Sequence, residues 1–125
     1  MFKTTIEYSR AEIMKSVGGE PRTYLPQKNH VILAGCFNRE DNPDQPIEIQ
    51  AGNTKGVKKK AIRLSTQHTE FPVFTKEKRN DKKYKFEGYY KCVGHSLTTA
   101  VLEIAEKKSG RFGELSCVLY LEKIL

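Results

Sequence analysis

YKFEGYYKCVG, residues 84–94, sets four aromatics within seven positions around one glycine and fences them with lysines. In an extended chain, alternation sends Tyr84, Phe86, Gly88 and Tyr90 to one face and Lys85, Glu87, Tyr89 and Lys91 to the other. Aromatic residues favour a pleated, half-buried surface. The stretch therefore reads as a mainly structural strand, with Phe86 and Tyr90 in the core, Tyr89 half-exposed and its lysines left to reach phosphate.

The neighbouring segments extend this into a mostly β domain. FPVFTKE (71–77) reads as a strand before it, and ELSCVLYLEKI at the end of the chain as a strand inside the sheet. HVILAGCF (30–37) reads as a buried strand whose Gly35 admits a close backbone or ligand approach, and IEIQA (47–51) alternates like another strand. SRAEIMKSVGG (9–19) reads as a short helix: Ser9 and Glu12 form a capping box, Ile13, Met14 and Val17 share a face, and two glycines stop it. SLTTAVLEIAEKK (96–108) reads as a second helix with Leu97, Val101, Ile104 and Ala105 at helical spacing. RTYLPQKN is a connecting loop, NREDNPDQP (38–46) is turn-rich, and GNTKGVKKK (52–60) is a glycine-bearing basic loop before a weakly helical AIRLSTQH. There is no internal repeat and no interdomain linker. The expectation is one α+β domain, mostly β, spanning 1–125, with two or three short helices.

The 125 residues suffice to close a single core without a metal or disulfide staple. Cys36, Cys92 and Cys117 and His30, His68 and His95 show no metal-ligand spacing, so neither a metal nor a cofactor is expected. Widely spaced, odd-numbered cysteines fit a reduced cytoplasmic interior. No apolar run is long enough for export or membrane insertion, so no membrane partner is expected.

Charge points to a polyanion. Twenty-two Lys+Arg against 15 Asp+Glu give a net charge of +7, with a pI near 9.3, which favours nucleic acid over a neutral small molecule. Lys55, Lys58, Lys59, Lys60 and Arg63 form an acid-free run, and Lys76, Lys78, Arg79, Lys82 and Lys83 lie in a second basic stretch. Both are candidates for phosphate contact. Against this background NREDNPDQPIE carries Glu40, Asp41, Asp44 and Glu48, which as a solvated turn would need no further account. A carboxylate, however, accepts hydrogen bonds from an exocyclic amine such as that on cytosine C4. A base read this way must leave the stack and lie between aromatic or apolar faces. Phe37 is close in sequence.

HVILAGCFNRED, IQAGNTKG, FPVFTKEK and YKFEGYYKCV, in that order and followed by an apolar C-terminal strand, resemble the SRA (YDG) domain. SRAEIMKSVGGEPRTYLP and the closing helix and strand are similar to its bacterial branch associated with HNH modification-dependent restriction endonucleases. The resemblance implies a PUA-like, partly open β-barrel that flips a modified cytosine, 5-methylcytosine or a related modification, out of double-stranded DNA into a pocket. It places Ala34, Gly35, Cys36 and Phe37 along that pocket, Glu40 or Asp41 on the cytosine amino group, and Ile49 or Gln50 over the other face. Lys58 to Arg63 fall where the family's loop touches the duplex. It further implies a recognition module of a restriction or defence system, with an HNH or other nuclease domain or subunit as effector.

The chain itself carries no G-x-S-x-G, no P-loop and no nuclease pattern, so no catalytic residue is expected. The alternatives are a PUA-like RNA-binding or nucleotide-processing protein using Asp41, Lys60 and His95, and a protein-interaction module.

Overall fold

The computed structural model describes residues 1–124. Its spine is the strand read first: β7, Lys83–Ser96, fourteen residues long. The other strands are β1 (Glu7–Ser9), β2 (Gln27–Lys28), β3 (Val31–Ile32), β4 (Gly35–Asn38), β5 (Glu48–Gly52), β6 (Phe71–Lys76) and β8 (Leu115–Ile124). Three helices, α1 (Arg10–Val17), α2 (Lys55–Thr66) and α3 (Thr99–Ser109), complete the fold.

The main sheet runs β4-β6-β7-β8-β5, with β1 added to the first residues of β7. β4 is parallel to β6, and the other neighbours are antiparallel. The two outermost strands, β4 and β5, are not hydrogen-bonded to each other, so the sheet does not close into a barrel. The architecture is α+β and mostly sheet.

β7 departs from simple alternation. Val73 pairs with Gly88 but Phe74 pairs with Phe86, so Glu87 is an extra residue on the β7 side. Beyond this bulge the faces exchange. Tyr84 and Phe86 pack with Phe74, Cys36 and Ile13, and Tyr89 joins that group, whereas Tyr90 packs with Phe71, Val73 and Leu119 on the opposite side. The expectation that Tyr84, Phe86 and Tyr90 share one face is thus corrected. Gly88 carries the irregularity at φ +123, and a Cβ there would lie 2.8 Å from Lys123 Cε. Only glycine adopts that conformation readily.

α1 forms as its caps dictate. Ser9 Oγ accepts the Glu12 N–H at 3.2 Å, Glu12 Oε1 accepts the Ser9 N–H at 2.8 Å, and Gly18 ends the helix at φ 82. α3 starts at Thr98, whose hydroxyl accepts the Val101 N–H, and stops at left-handed Gly110. Its buried face is Ala105 with half-buried Val101 and Leu102, while Leu97 and Ile104 are 63% and 58% exposed.

Two further expectations change. The 30–37 segment is not one strand: Val31–Ile32 pairs with Gln27–Lys28 as a small hairpin, and the chain re-enters the sheet at Gly35. Asn29 and His30, at φ 52 and 65, make the tight turn, as a two-residue hairpin connection requires. The basic run is also not a loop. Lys55 opens α2, which presents Val57, Ala61 and Leu64 to the core and Lys55, Lys58 and Lys59 to solvent. Apolar residues at these spacings make an amphipathic helix despite the lysines.

Candidate nucleic-acid interface

The gap between the free edges of β4 and β5 is a cleft of about 460 Å³. β4 supplies Cys36, Phe37 and Asn38, β5 supplies Gln50 and Gly52, and the start of α2 forms a rim with Gly56, Val57 and Lys60. The 22–24 segment lines it too, and is tied to β4 by the Cys36 N–H donating to the Tyr24 carbonyl at 2.9 Å.

The acidic loop is held into this cleft by its own amides. Asn38 Oδ1 accepts the Asp41 N–H at 2.8 Å, while Asn38 Nδ2 donates to Asp41 Oδ2 at 3.0 Å. Buried Asn42 accepts the Gln50 N–H at 2.8 Å and so joins the loop to β5. On the outer side Arg79 Nη2 meets Asp41 Oδ1 at 2.8 Å, and the Arg79 N–H donates to Glu40 Oε1 at 2.6 Å. Burial works against the Asp41 charge, but the bonds from Arg79 and Asn38, with the charges of Arg79 and Arg111, hold its carboxyl below the ordinary carboxylate value. Asp41 is therefore an ionised acceptor at neutral pH, 31% exposed in its side chain. Two of its roughly four lone-pair sites are taken by these bonds.

Opposite stands Arg111, from the turn after α3. Its Nη1 donates to the Gln50 carbonyl at 3.1 Å and the Asp41 carbonyl at 3.4 Å, clasping the two sheet edges. Gly52 makes room for it: a Cβ there would lie 3.2 Å from Arg111 Nη2. Half-buried Tyr24 also lines the cleft, its hydroxyl donating to the Val57 carbonyl at 2.8 Å.

Of the residues expected at a base pocket, Cys36, Phe37, Asp41 and Gln50 line this cleft, and Ala34, Gly35, Glu40 and Ile49 do not. Ala34 and Ile49 are fully buried in separate core clusters. Gly35 is required by packing: a Cβ there would sit 2.6 Å from Phe37 Cζ, so the space next to it holds the Phe37 ring rather than a ligand. Phe37 is 1% exposed and packs in the core, which leaves Tyr24 as the more open aromatic of the cleft. Gln50 spends its side chain on α3, donating to the Ala105 carbonyl and accepting from Ser109. Tyr24 and Arg111 had no sequence signal, since each reaches the cleft only through the tertiary fold.

The basic residues divide in the same way. Lys55, Lys58 and Lys59 are exposed on α2, and Lys78, Lys82 and Lys83 are exposed around the turn between β6 and β7. Lys60, 11% exposed, is held by Glu20 at 2.7 Å and the Leu25 carbonyl at 2.9 Å. Arg63 donates to the His30 carbonyl, and Lys76 donates to the Asp81 carbonyl and lies 4.6 Å over the Tyr84 ring.

A second cavity, of about 420 Å³, lies between α2, the end of β7 and β8, lined by Ile62, Leu97, Leu115 and His95 among others. It holds no carboxylate, and so lacks a charged acceptor for an amine. Asp41 and Lys60 line the first cleft and His95 the second, so the trio considered for nucleotide processing does not share one site. No protein-family model, curated protein or solved structure matches the chain.

Proposed function

We propose that this chain is a DNA-recognition module of the SRA-like, PUA-like kind, which takes an everted modified cytosine into the cleft between β4 and β5. The observation that carries the reading is Asp41: an ionised carboxylate, held by Asn38 and Arg79, at a cleft beside a helix whose outer face carries lysines. A carboxylate so placed accepts the cytosine exocyclic amine. The exposed lysines of α2 supply sequence-independent attraction to phosphate. Tyr24 offers the base an aromatic wall, worth about 1–3 kcal/mol when a base stacks on it. In this reading the chain recognises and does not cut, and cleavage belongs to an HNH or other nuclease domain or subunit of a restriction or defence system.

The deciding experiment is a titration against duplexes identical except at one cytosine, which is unmodified, 5-methylated, 5-hydroxymethylated or glucosylated, with single-stranded RNA of the same sequence alongside. One modified duplex should bind most tightly, and Asp41→Ala should remove about 1.5–3 kcal/mol of that preference while background binding persists. Equal affinity for all duplexes would overturn the reading, and a preference for RNA would favour an RNA-binding function.

A further inference from the structure

An everted cytosine presents a pairing edge with three points: the exocyclic amine donates, N3 accepts and O2 accepts. Thymine and uracil present an acceptor, a donor and an acceptor. A carboxylate alone answers only the first point, and a flipped base is read along its whole Watson–Crick edge.

Arg111 holds the complement. A guanidinium carries five N–H donors in a planar fork. Both bonds of the Arg111 guanidinium leave from Nη1 and end on main-chain carbonyls, so the Nη2 pair and Nε keep donors with no protein partner among the described residues. Nor does Arg111 form an ion pair there: the four pairs present are Arg39–Glu77, Lys60–Glu20, Arg79–Asp41 and Lys108–Asp44. A half-buried guanidinium that ends on carbonyls alone keeps its charge available for an acceptor. Its Nη1 lies 3.4 Å from the Asp41 carbonyl, and both residues line the one cleft.

We propose that Asp41 and Arg111 together copy the pairing edge of guanine, the carboxylate standing for its acceptor and the guanidinium for its two donors. Arg111 is then a specificity-determining residue, and the cleft accepts cytosine while rejecting thymine and uracil whatever their C5 substituent. Thymine would set its O4 against the Asp41 charge and its N3–H against the Arg111 donors. This inference rests on reading the cleft as a base pocket.

The test compares two duplexes carrying one C5-methylated pyrimidine opposite guanine, 5-methylcytosine in one and thymine in the other. They share the methyl group and differ in the pairing edge. The wild-type protein should favour 5-methylcytosine by roughly 5- to 150-fold, the range for one good bidentate contact. Arg111→Met should lower that ratio several-fold, leaving the share that Asp41 holds against thymine O4, and Arg111→Lys should retain more of it. A ratio unchanged in Arg111→Met overturns the inference.

Should Arg111→Met lower the melting temperature, the same contact is removed from the DNA side. A duplex with 3-deaza-5-methylcytosine should bind the wild-type protein several-fold more weakly, and undiminished binding again overturns the inference. A wild-type protein that prefers 5-methylcytosine to cytosine but fails both arms leaves the base-pocket reading standing and removes Arg111 from it. A wild-type protein indifferent to cytosine methylation removes both.

Discussion

Arg79 Nη2 and Asp41 Oδ1, 2.8 Å apart, join the basic turn between β6 and β7 to the acidic loop after β4. This resolves the apparent conflict of an acidic loop in a basic protein, because part of its charge is neutralised by the basic stretch itself. Arg79 is 60% exposed, so the pair contributes little to folding. Arg79→Ala should change unfolding free energy by less than about 1 kcal/mol at neutral pH, as measured by urea denaturation. A larger loss would mean that the pair organises the loop rather than decorating it.

The Asp41 carboxyl is held below its ordinary value, and this fixes the sign of its pH dependence. A depressed carboxylate stabilises the fold above the unfolded value of about 3.9, and that stabilisation disappears as pH falls through the lower folded value. The stability advantage of wild type over Asp41→Asn should therefore be constant from neutral pH to about 5 and shrink below about 4. Denaturation midpoints at several pH values measure it, and an advantage that grows on acidification would contradict the geometry.

Lys55, Lys58 and Lys59 project from α2 into solvent, whereas Lys60 is bound to Glu20 and the Leu25 carbonyl. Replacing the first three with alanine should weaken binding to modified and unmodified duplexes alike and flatten the salt dependence by roughly 0.9 log unit per lost phosphate contact. Lys60→Ala should instead cost stability, about 1 kcal/mol, with little change in that slope. Salt-dependent binding isotherms and thermal melts of the two variants separate these roles.

Phe37 and Gly35 form a matched pair in the core. Gly35→Ala places a methyl 2.6 Å from the Phe37 ring, and overpacking of this kind costs about 1–3 kcal/mol. Phe37→Ala empties a fully buried site, at about 3–5 kcal/mol. Both should lower the chemical denaturation midpoint in the absence of DNA. A stable Phe37→Ala that loses only base discrimination would return Phe37 to a stacking role.

The sheet and two of the helices were legible because their signals are local. Ser9 and Glu12 mark the start of α1, Thr98 and Gly110 bracket α3, and FPVFTK and YKFEGYYK carry the β-forming aromatics of β6 and β7. α2 was obscured by its own lysines. Basic residues near a helix N-terminus oppose the helix dipole, and the cluster drew attention away from Val57, Ala61 and Leu64, whose spacing marks the buried face. The face exchange in β7 depends on one unpaired residue, Glu87, which alternation alone does not reveal. Asp41 could be picked out because a carboxylate stands out in a basic chain. Arg111 could not, because it meets Gln50 across 61 positions of sequence and does so through the turn that follows α3.

The rims of the cleft are the two ends of one series of hydrogen-bonded strands, β4-β6-β7-β8-β5. Its width is consequently the sum of four ladders rather than a property of any loop. Detaching a single strand abolishes the cleft instead of loosening it, so an unfinished chain exposes charge without the cleft that the sheet completes. On the proposed reading, base capture and completion of the sheet are then one cooperative event, and a nascent or partly melted molecule is silent by construction.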